Sequence, residues 1–279
     1  MAEKILEVSD LQVSYLSSRK TPFEKKKRIQ VLKDVSFSME KGEILGLVGE
    51  SGSGKTTLAR AILGMIPYEG TITKNAQRAQ MVFQDPYGSL NPARKVSWIL
   101  EEPLRLKGGL SKDERKEKVI AMLSRVGLDE KFMDRYPRQL SGGQRQRVCI
   151  AGALMLEPSL LIADEPVSAL DVTIQAQILE LFQKIHEEMG LSILFISHDL
   201  RVVYQMCDRI LIMQHGQIME SGTVEEVYFH HKSIYRFLFF LLLFQLGLQA
   251  SFHRKACPAF LCQRIKLVHR FLFYELLRS

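Results

Sequence analysis

The residues best suited to chemistry form a glycine-rich segment at residues 49–56, GESGSGKT, which matches G-x-x-x-x-G-K-[ST] at every fixed position. Glycines let successive backbone N–H groups wrap around phosphate oxygens, and the N-terminus of a following helix adds to that site. Lys55 is expected to reach the β- and γ-phosphates, and Thr56 to ligate Mg²⁺ through its hydroxyl. The predicted phosphate-binding residues are Gly49, Glu50, Ser51, Gly52, Ser53, Gly54, Lys55, Thr56 and Thr57.

A pair of carboxylates follows a second apolar run, at residues 160–165, LLIADE. Asp164 suits the Mg²⁺ shell, directly or through water. Glu165 follows it and is placed to polarise an attacking water as a general base. Such a pair alone more often marks a capped strand end, but the phosphate-binding segment upstream favours hydrolysis of a bound nucleotide.

A third segment, residues 140–144, reads LSGGQ and is followed by RQRVCIAGAL. It offers a serine hydroxyl and two glycine N–H groups at the N-terminus of a predicted helix, which together suit an anion. Taken alone, LSGGQ could also be an ordinary helix cap. If it binds an anion, the chain carries two separate phosphate-binding elements, with the paired carboxylates after both.

The elements that must position these residues are those of an α/β protein. The continuous apolar run at residues 44–48 is typical of a strand buried on both faces of a largely parallel sheet. Further strands are predicted at residues 160–163 and 192–196, each followed by polar residues at the carboxyl end, where open α/β sheets bind ligands. Alternating segments at residues 5–15 and 31–39 indicate an additional β region.

The region at about residues 85–156 has a different character and is predicted to be a mostly helical subdomain inserted into that core. Its clearest helix covers residues 111–126, with Ser111 as N-cap and Glu114 completing a capping box.

The amino-acid composition indicates a class of protein but does not identify its binding partner. The 279 residues are 46% hydrophobic and 25% charged, which indicates a globular chain larger than one average domain. The net charge of +7 is compatible with nucleic acid, an anionic membrane or nucleotide phosphates. Four cysteines without a disulfide pattern and a charged N-terminus favour a reducing cytoplasm. The basic stretch at residues 19–28 is either a solvated loop or a contact with anionic lipid.

The order of the three motifs makes the chain resemble the nucleotide-binding subunit of an ABC transporter, with LSGGQ as its signature. The resemblance implies a P-loop NTPase core of ABC type within residues 1–231, with an inserted helical subdomain and an N-terminal antiparallel β region. It also implies ATP and Mg²⁺ as cofactors. Two subunits would sandwich two ATP molecules head to tail, with one signature completing the partner's site. The signature residues are Ser141, Gly142, Gly143 and Gln144.

The resemblance assigns roles to further positions. Gln84 in VFQDP matches the glutamine that approaches Mg²⁺ and the attacking water, and His198 in FISHD matches the histidine that contacts the γ-phosphate. Asp171 in SALD matches an aspartate at the dimer interface, and Tyr15 matches the aromatic that stacks on adenine. The expected catalytic set is Glu165, His198 and Gln84, and the expected metal ligands are Thr56, Gln84 and Asp164.

A finer resemblance indicates the peptide and nickel importers. It is carried by residues 83–92 (FQDPYGSLNP), by residues 164–171 (DEPVSALD) with the following VTIQAQIL, and by the basic insertion after Tyr15. It implies a peripheral subunit at the cytoplasmic face of the membrane. Its partners would be a permease, an extracytoplasmic binding protein and a second ATPase, either a homologous chain or a copy. Peptides and nickel both remain open as cargo.

Two other classes of protein, soluble ABC ATPases and P-loop kinases, agree less well with the sequence. A soluble ABC ATPase of DNA repair or the ribosome would suit the positive charge, but repair-type members carry long coiled-coil insertions and ribosomal members carry two nucleotide domains. This sequence has one P-loop and one signature, so no nucleic-acid partner is expected. A P-loop kinase has no reason to carry LSGGQ.

The segment at residues 232–279 departs from the family as an apolar and basic tail. Its apolar run, residues 237–248, is shorter than the ~20 residues of a spanning helix. A shifted or decayed tail, a membrane-binding helix and a divergent packed helix remain open. A metal cluster at Cys257 and Cys262 is disfavoured by their spacing.

Overall fold

The computed structural model describes residues 3–16, 28–76 and 78–229. The tail at residues 232–279 and nearly all of the basic stretch therefore lie outside the described residues, and the interpretations given for them stay predictions.

Nine strands are described in chain order. They are β1 (Lys4–Leu16), β2 (Arg28–Glu40), β3 (Ile44–Val48), β4 (Glu69–Lys74), β5 (Gln80–Val82), β6 (Leu160–Asp164), β7 (Ser192–Ser197), β8 (Arg209–Gln214) and β9 (Gln217–Thr223). The described helices are α1 (Lys55–Ile62), α2 (Pro86–Ser89), α3 (Val96–Lys107), α4 (Lys112–Arg125), α5 (Gly142–Leu154), α6 (Val172–Met189), α7 (Leu200–Met206) and α8 (Val224–Phe229).

Six strands form the central sheet in the order β5-β6-β7-β3-β8-β9. The first five are parallel, and β9 closes the edge as an antiparallel hairpin with β8. Every residue of β3, β6 and β7 is buried, as the continuous apolar runs predict for strands covered on both faces.

A smaller antiparallel sheet, in the order β2-β1-β4, packs over the central one. Its inward side chains, among them Leu11 and Leu32, share one apolar core with Leu47 of β3 and Leu58 of α1. Fully burying a leucine side chain stabilises a fold by about 1.5–3 kcal/mol. This core therefore holds α1, and the loop before it, against both sheets.

The chain between β5 and β6 is helical. It contains α2, α3, α4 and α5 and two short 3-10 helices, Glu130–Asp134 and Pro137–Gln139. The predicted capping box is present: Glu114 N donates to Ser111 Oγ at 3.2 Å, and Ser111 N donates to Glu114 Oε2 at 2.6 Å. These hydrogen bonds lower the pKa of Glu114. Among the described helices, none is long and apolar enough to cross a membrane.

Candidate active site

The predicted site residues converge because the strands that carry them are neighbours in the sheet. Gln84 follows β5, Glu165 follows β6, His198 follows β7, and the glycine-rich loop follows β3. These four strands are adjacent and parallel, so their carboxyl ends lie at one edge. In an open α/β sheet, ligands bind at that edge.

The glycine-rich loop leads directly into the N-terminus of α1. Gly54 is the N-cap at φ 109°, a left-handed conformation that favours glycine, and no side chain caps the helix. The first backbone N–H groups of α1 are therefore left for an anion.

Lys55 is held across the loop. Its Nζ donates to Gly49 O at 2.8 Å and Glu50 O at 2.9 Å, and the residue is 6% exposed. Burial lowers the pKa of Lys55, while the nearby Glu165 and Asp164 carboxylates raise it. The ammonium group is thus fixed inside the loop that is predicted to hold the phosphates.

The β8–β9 turn supports the glycine-rich loop through a contact that is not predicted from the sequence. Gly216 N donates to Ser53 O at 3.0 Å, and Lys33 N donates to Gly216 O at 2.8 Å. A Cβ at Gly216 would lie 2.0 Å from Val31 O, so only glycine fits there. In the sequence, the His215–Gly216 pair is a weak hairpin signal. In the structure the two residues have φ values of 48° and 81°, as a two-residue hairpin turn requires.

Asp164 is the buried carboxylate of the site. It is 3% exposed, the Thr56 side chain lies beside it, and its Oδ1 has no hydrogen-bond partner among the described residues. Burial raises the pKa of Asp164. A buried carboxylate oxygen without a partner, beside a threonine hydroxyl, fits a hard cation such as Mg²⁺.

Any further ligands of a cation at this site would come from groups other than Asp164 and Thr56. No cluster of three His, Cys, Asp or Glu side chains suited to a metal occurs in the described part of the chain. Mg²⁺ is usually held by one or two protein groups together with substrate phosphates and water.

The three side chains predicted to be catalytic meet at one oxygen atom. Gln84 Nε2 donates to Glu165 Oε2 at 3.0 Å, and His198 Nδ1 lies 3.3 Å from the same Oε2. The Glu165 side chain is 16% exposed and that of His198 is 60% exposed. An oriented carboxylate with one solvent-facing neighbour is suited to hold a water and take its proton.

The backbone at Glu165 is held in an uncommon conformation. Its φ is 47°, which costs a residue other than glycine about 1–2 kcal/mol. Glu165 N donates to Ile196 O at 3.0 Å, and Glu165 O accepts from Ser168 N at 3.3 Å and Ser168 Oγ at 3.1 Å. These bonds keep the carboxylate aimed at Gln84 and His198.

The signature segment forms the start of α5. Ser141 is the N-cap: its Oγ accepts from Gln144 N at 3.3 Å, and Gln144 Oε1 accepts from Ser141 N at 2.9 Å. The Ser141 hydroxyl proton stays available to a phosphate. Gly143 also has a packing role, because a Cβ there would lie 2.6 Å from Ile174 Cγ2 of α6.

Comparisons with known proteins agree with this geometry. The family model described as ABC transporter matches residues 32–168. The dipeptide transport ATP-binding protein DppF of Escherichia coli is 44% identical over 244 residues, which cover 82% of this chain and 73% of that protein. The chain belongs to the ABC transporter family. The oligopeptide transport ATP-binding protein OppF of Haemophilus influenzae is 46% identical over 245 residues, covering 81% of this chain and 74% of that protein.

Solved ABC cassettes share the fold. The structure of cbiO1 from Clostridium perfringens, part of the ABC transporter complex cbiONQ, has a TM-score of 0.69 at 29% identity and covers 88% of this chain and 98% of that chain. A post-hydrolysis dimer of the cassette MJ0796, bound to ADP and Pi, has a TM-score of 0.68 at 28% identity. The match covers 78% of this chain and 98% of that chain. The predicted family and fold class are confirmed.

Two predicted residues of this ABC cassette lie at its surface. Asp171 is exposed and caps α6, its Oδ1 accepting from Ile174 N at 3.0 Å. Tyr15 is 40% exposed near the end of β1, opposite Ile29 of β2. Both side chains are accessible, and their roles at a dimer interface and at adenine stay predictions.

Proposed function

We propose that this chain is the ATP-hydrolysing subunit of an ABC importer for dipeptides or oligopeptides. It acts as a dimer that closes over ATP at the cytoplasmic face of a membrane and drives a separate permease. The observation that carries the proposal is the meeting of Lys55, Asp164 and the Gln84–Glu165–His198 group at one sheet edge.

Each group has a defined task in this reaction. The loop N–H groups and Lys55 bind the β- and γ-phosphates, and Glu165 takes a proton from the attacking water. Gln84 and His198 orient the Glu165 carboxylate through their contacts with Oε2. Thr56, Asp164 and Gln84 would hold Mg²⁺, which when bound neutralises charge on the phosphate oxygens.

The proposal of a dimer is supported by the second phosphate-binding element, the signature segment at the start of α5. Ser141 and the two signature glycines stand at the N-terminus of α5, where a helix favours an anion. We assign this element to the ATP of the partner subunit, which is either a homologous chain or a second copy.

The peptide cargo is supported by the relatives. The proteins named above are dipeptide and oligopeptide transport subunits, and AppF of Bacillus subtilis, an oligopeptide transport ATP-binding protein, is 45% identical over 244 residues. These names favour peptides over nickel. A permease and an extracytoplasmic binding protein would select the peptide and carry it across the membrane.

Ser141→Arg separates binding from dimer closure. An arginine side chain at the α5 N-cap would fill the space needed by the partner's phosphates, while leaving the loop around Lys55 intact. We expect ATP affinity of the monomer to change less than twofold and ATP-dependent dimerisation to be lost, by equilibrium titration and light scattering. Ser124→Arg, at an exposed serine of α4, is the control. Dimerisation by Ser141→Arg as in the unmodified chain would refute the assignment of the signature to the partner's ATP.

The cargo is tested in membrane vesicles that contain the chain with the subunits that co-purify with it from detergent. We expect ATP-driven accumulation of a labelled dipeptide or oligopeptide, and none with Glu165→Gln. ATP-driven uptake of nickel with no peptide uptake would overturn the cargo assignment.

A further inference from the structure

The loop that carries Gln84 is connected to the signature helix by an aromatic–cation contact. The guanidinium carbon of Arg145 lies 3.5 Å from the ring centroid of Tyr87. Tyr87 is in α2, three residues after Gln84. Arg145 is one turn into α5, where its backbone N–H donates to Ser141 O at 2.9 Å. The contact thus joins two elements that serve different ATP molecules in the proposed dimer.

Arg145 has few other partners for its charge. It is 7% exposed, its Nη1 donates to Pro137 O at 3.4 Å, and its Nε has no hydrogen-bond partner among the described residues. Burial of a cation is costly unless charge or polar groups compensate for it. The negative face of the Tyr87 ring is such a group, and its attraction for a cation increases as water is excluded.

Tyr87 is in turn tied to Gln84 through Asp85. Asp85 Oδ1 accepts from Tyr87 N at 2.8 Å, and Asp85 O accepts from Ser89 Oγ at 2.6 Å. The short helix α2 is therefore fixed to the residue next to Gln84. A displacement of α5 would reach Gln84 through Arg145, Tyr87 and Asp85, and Gln84 donates to Glu165.

We propose that Tyr87 and Arg145 are positioning residues that hold Gln84 against Glu165 in register with the signature helix. Through this contact, the orientation of α5 controls hydrolysis in the subunit's own site. The inference rests on the proposed function, because it takes Gln84 and Glu165 as parts of the hydrolytic site and α5 as the element that binds the partner's ATP.

The first test removes the ring from Tyr87, whose residue is 64% exposed and can be changed without opening the core. In the full-length chain with its co-purifying subunits, we expect Tyr87→Leu to lower kcat about tenfold with ATP affinity unchanged. Tyr87→Phe keeps the ring face and should restore kcat to within about twofold of the unmodified chain. Tyr68→Leu, at another exposed tyrosine, is the control.

The second test asks whether the effect passes through Gln84. In a Gln84→Ala background, adding Tyr87→Leu should cause no further loss of kcat, since there is no amide left to position. Arg145→Met should lower kcat as Tyr87→Leu does, and the double variant should lose no more than either single one. A purely structural role for Tyr87 would instead give independent losses that multiply.

The outcomes separate this inference from the proposed function. Unchanged kcat in Tyr87→Leu, or a multiplied loss with Gln84→Ala, would overturn the inference and leave the ATPase assignment intact. Normal ATPase activity with loss of peptide uptake would assign Tyr87 to a permease contact and also overturn it. Absence of ATPase activity in the unmodified complex would overturn the proposed function and the inference with it.

Discussion

Glu165→Gln is expected to slow ATP hydrolysis by about 10²-fold or more while leaving ATP binding intact. The amide cannot accept a proton from water, but it has the shape of the carboxylate and can still accept from Gln84. The closed dimer should therefore accumulate in ATP. Single-turnover hydrolysis and size-exclusion chromatography with ATP measure the two effects.

The control for this change is Glu180→Gln, an identical change at an exposed position of α6. It should hydrolyse ATP at the rate of the unmodified chain. Hydrolysis by Glu165→Gln within about twofold of that rate would show that another group accepts the proton from water.

Lys55→Ala is expected to weaken ATP binding itself. The substitution removes the buried ammonium that lies 2.8 Å from Gly49 O and 2.9 Å from Glu50 O, and with it the cation that we propose binds the phosphates. Hydrogen bonds to charged groups contribute about 1.5–3 kcal/mol, so the Kd should rise about 10- to 100-fold. Calorimetric titration with a non-hydrolysable ATP analogue measures it.

Lys41→Ala is the matched control, because Lys41 pairs only with the exposed Glu3 at 2.8 Å among the described ion pairs. Exposed ion pairs contribute little to stability. If Lys55→Ala bound the analogue as tightly as Lys41→Ala does, Lys55 would have no phosphate to hold.

Much of the framework could be predicted because its patterns are local. The strand at residues 44–48 has the predicted bounds, since a turn at Lys41–Gly42 precedes its apolar run and glycines follow it. The Ser111 capping box is also local, with partners three residues apart. The convergence of Gln84, Glu165 and His198 could be expected only through the family resemblance, because it depends on the strand order.

The features that could not be predicted depend on contacts between distant segments. The β8–β9 turn reaches the glycine-rich loop only after both sheets have packed, and its His215–Gly216 pair is a weak hairpin signature. The Tyr87–Arg145 contact joins two motifs that were interpreted separately. Neither residue of that pair has a spacing that marks it, so only the packed structure brings the two together.

The buried carboxylate of Asp164 links the stability of the cassette to its ligand. Since burial raises the pKa of Asp164, the folded chain holds the carboxyl proton more tightly than the unfolded chain does. The stability that this proton contributes is lost as pH rises through the raised pKa. In its ionised form the buried group opposes folding, and a cation bound beside it offsets that cost. A ligand at 100 times its Kd adds about 2.7 kcal/mol to the free energy of unfolding. Binding of the proposed nucleotide and cation at this edge of the sheet is therefore expected to raise the free energy of unfolding of the cassette.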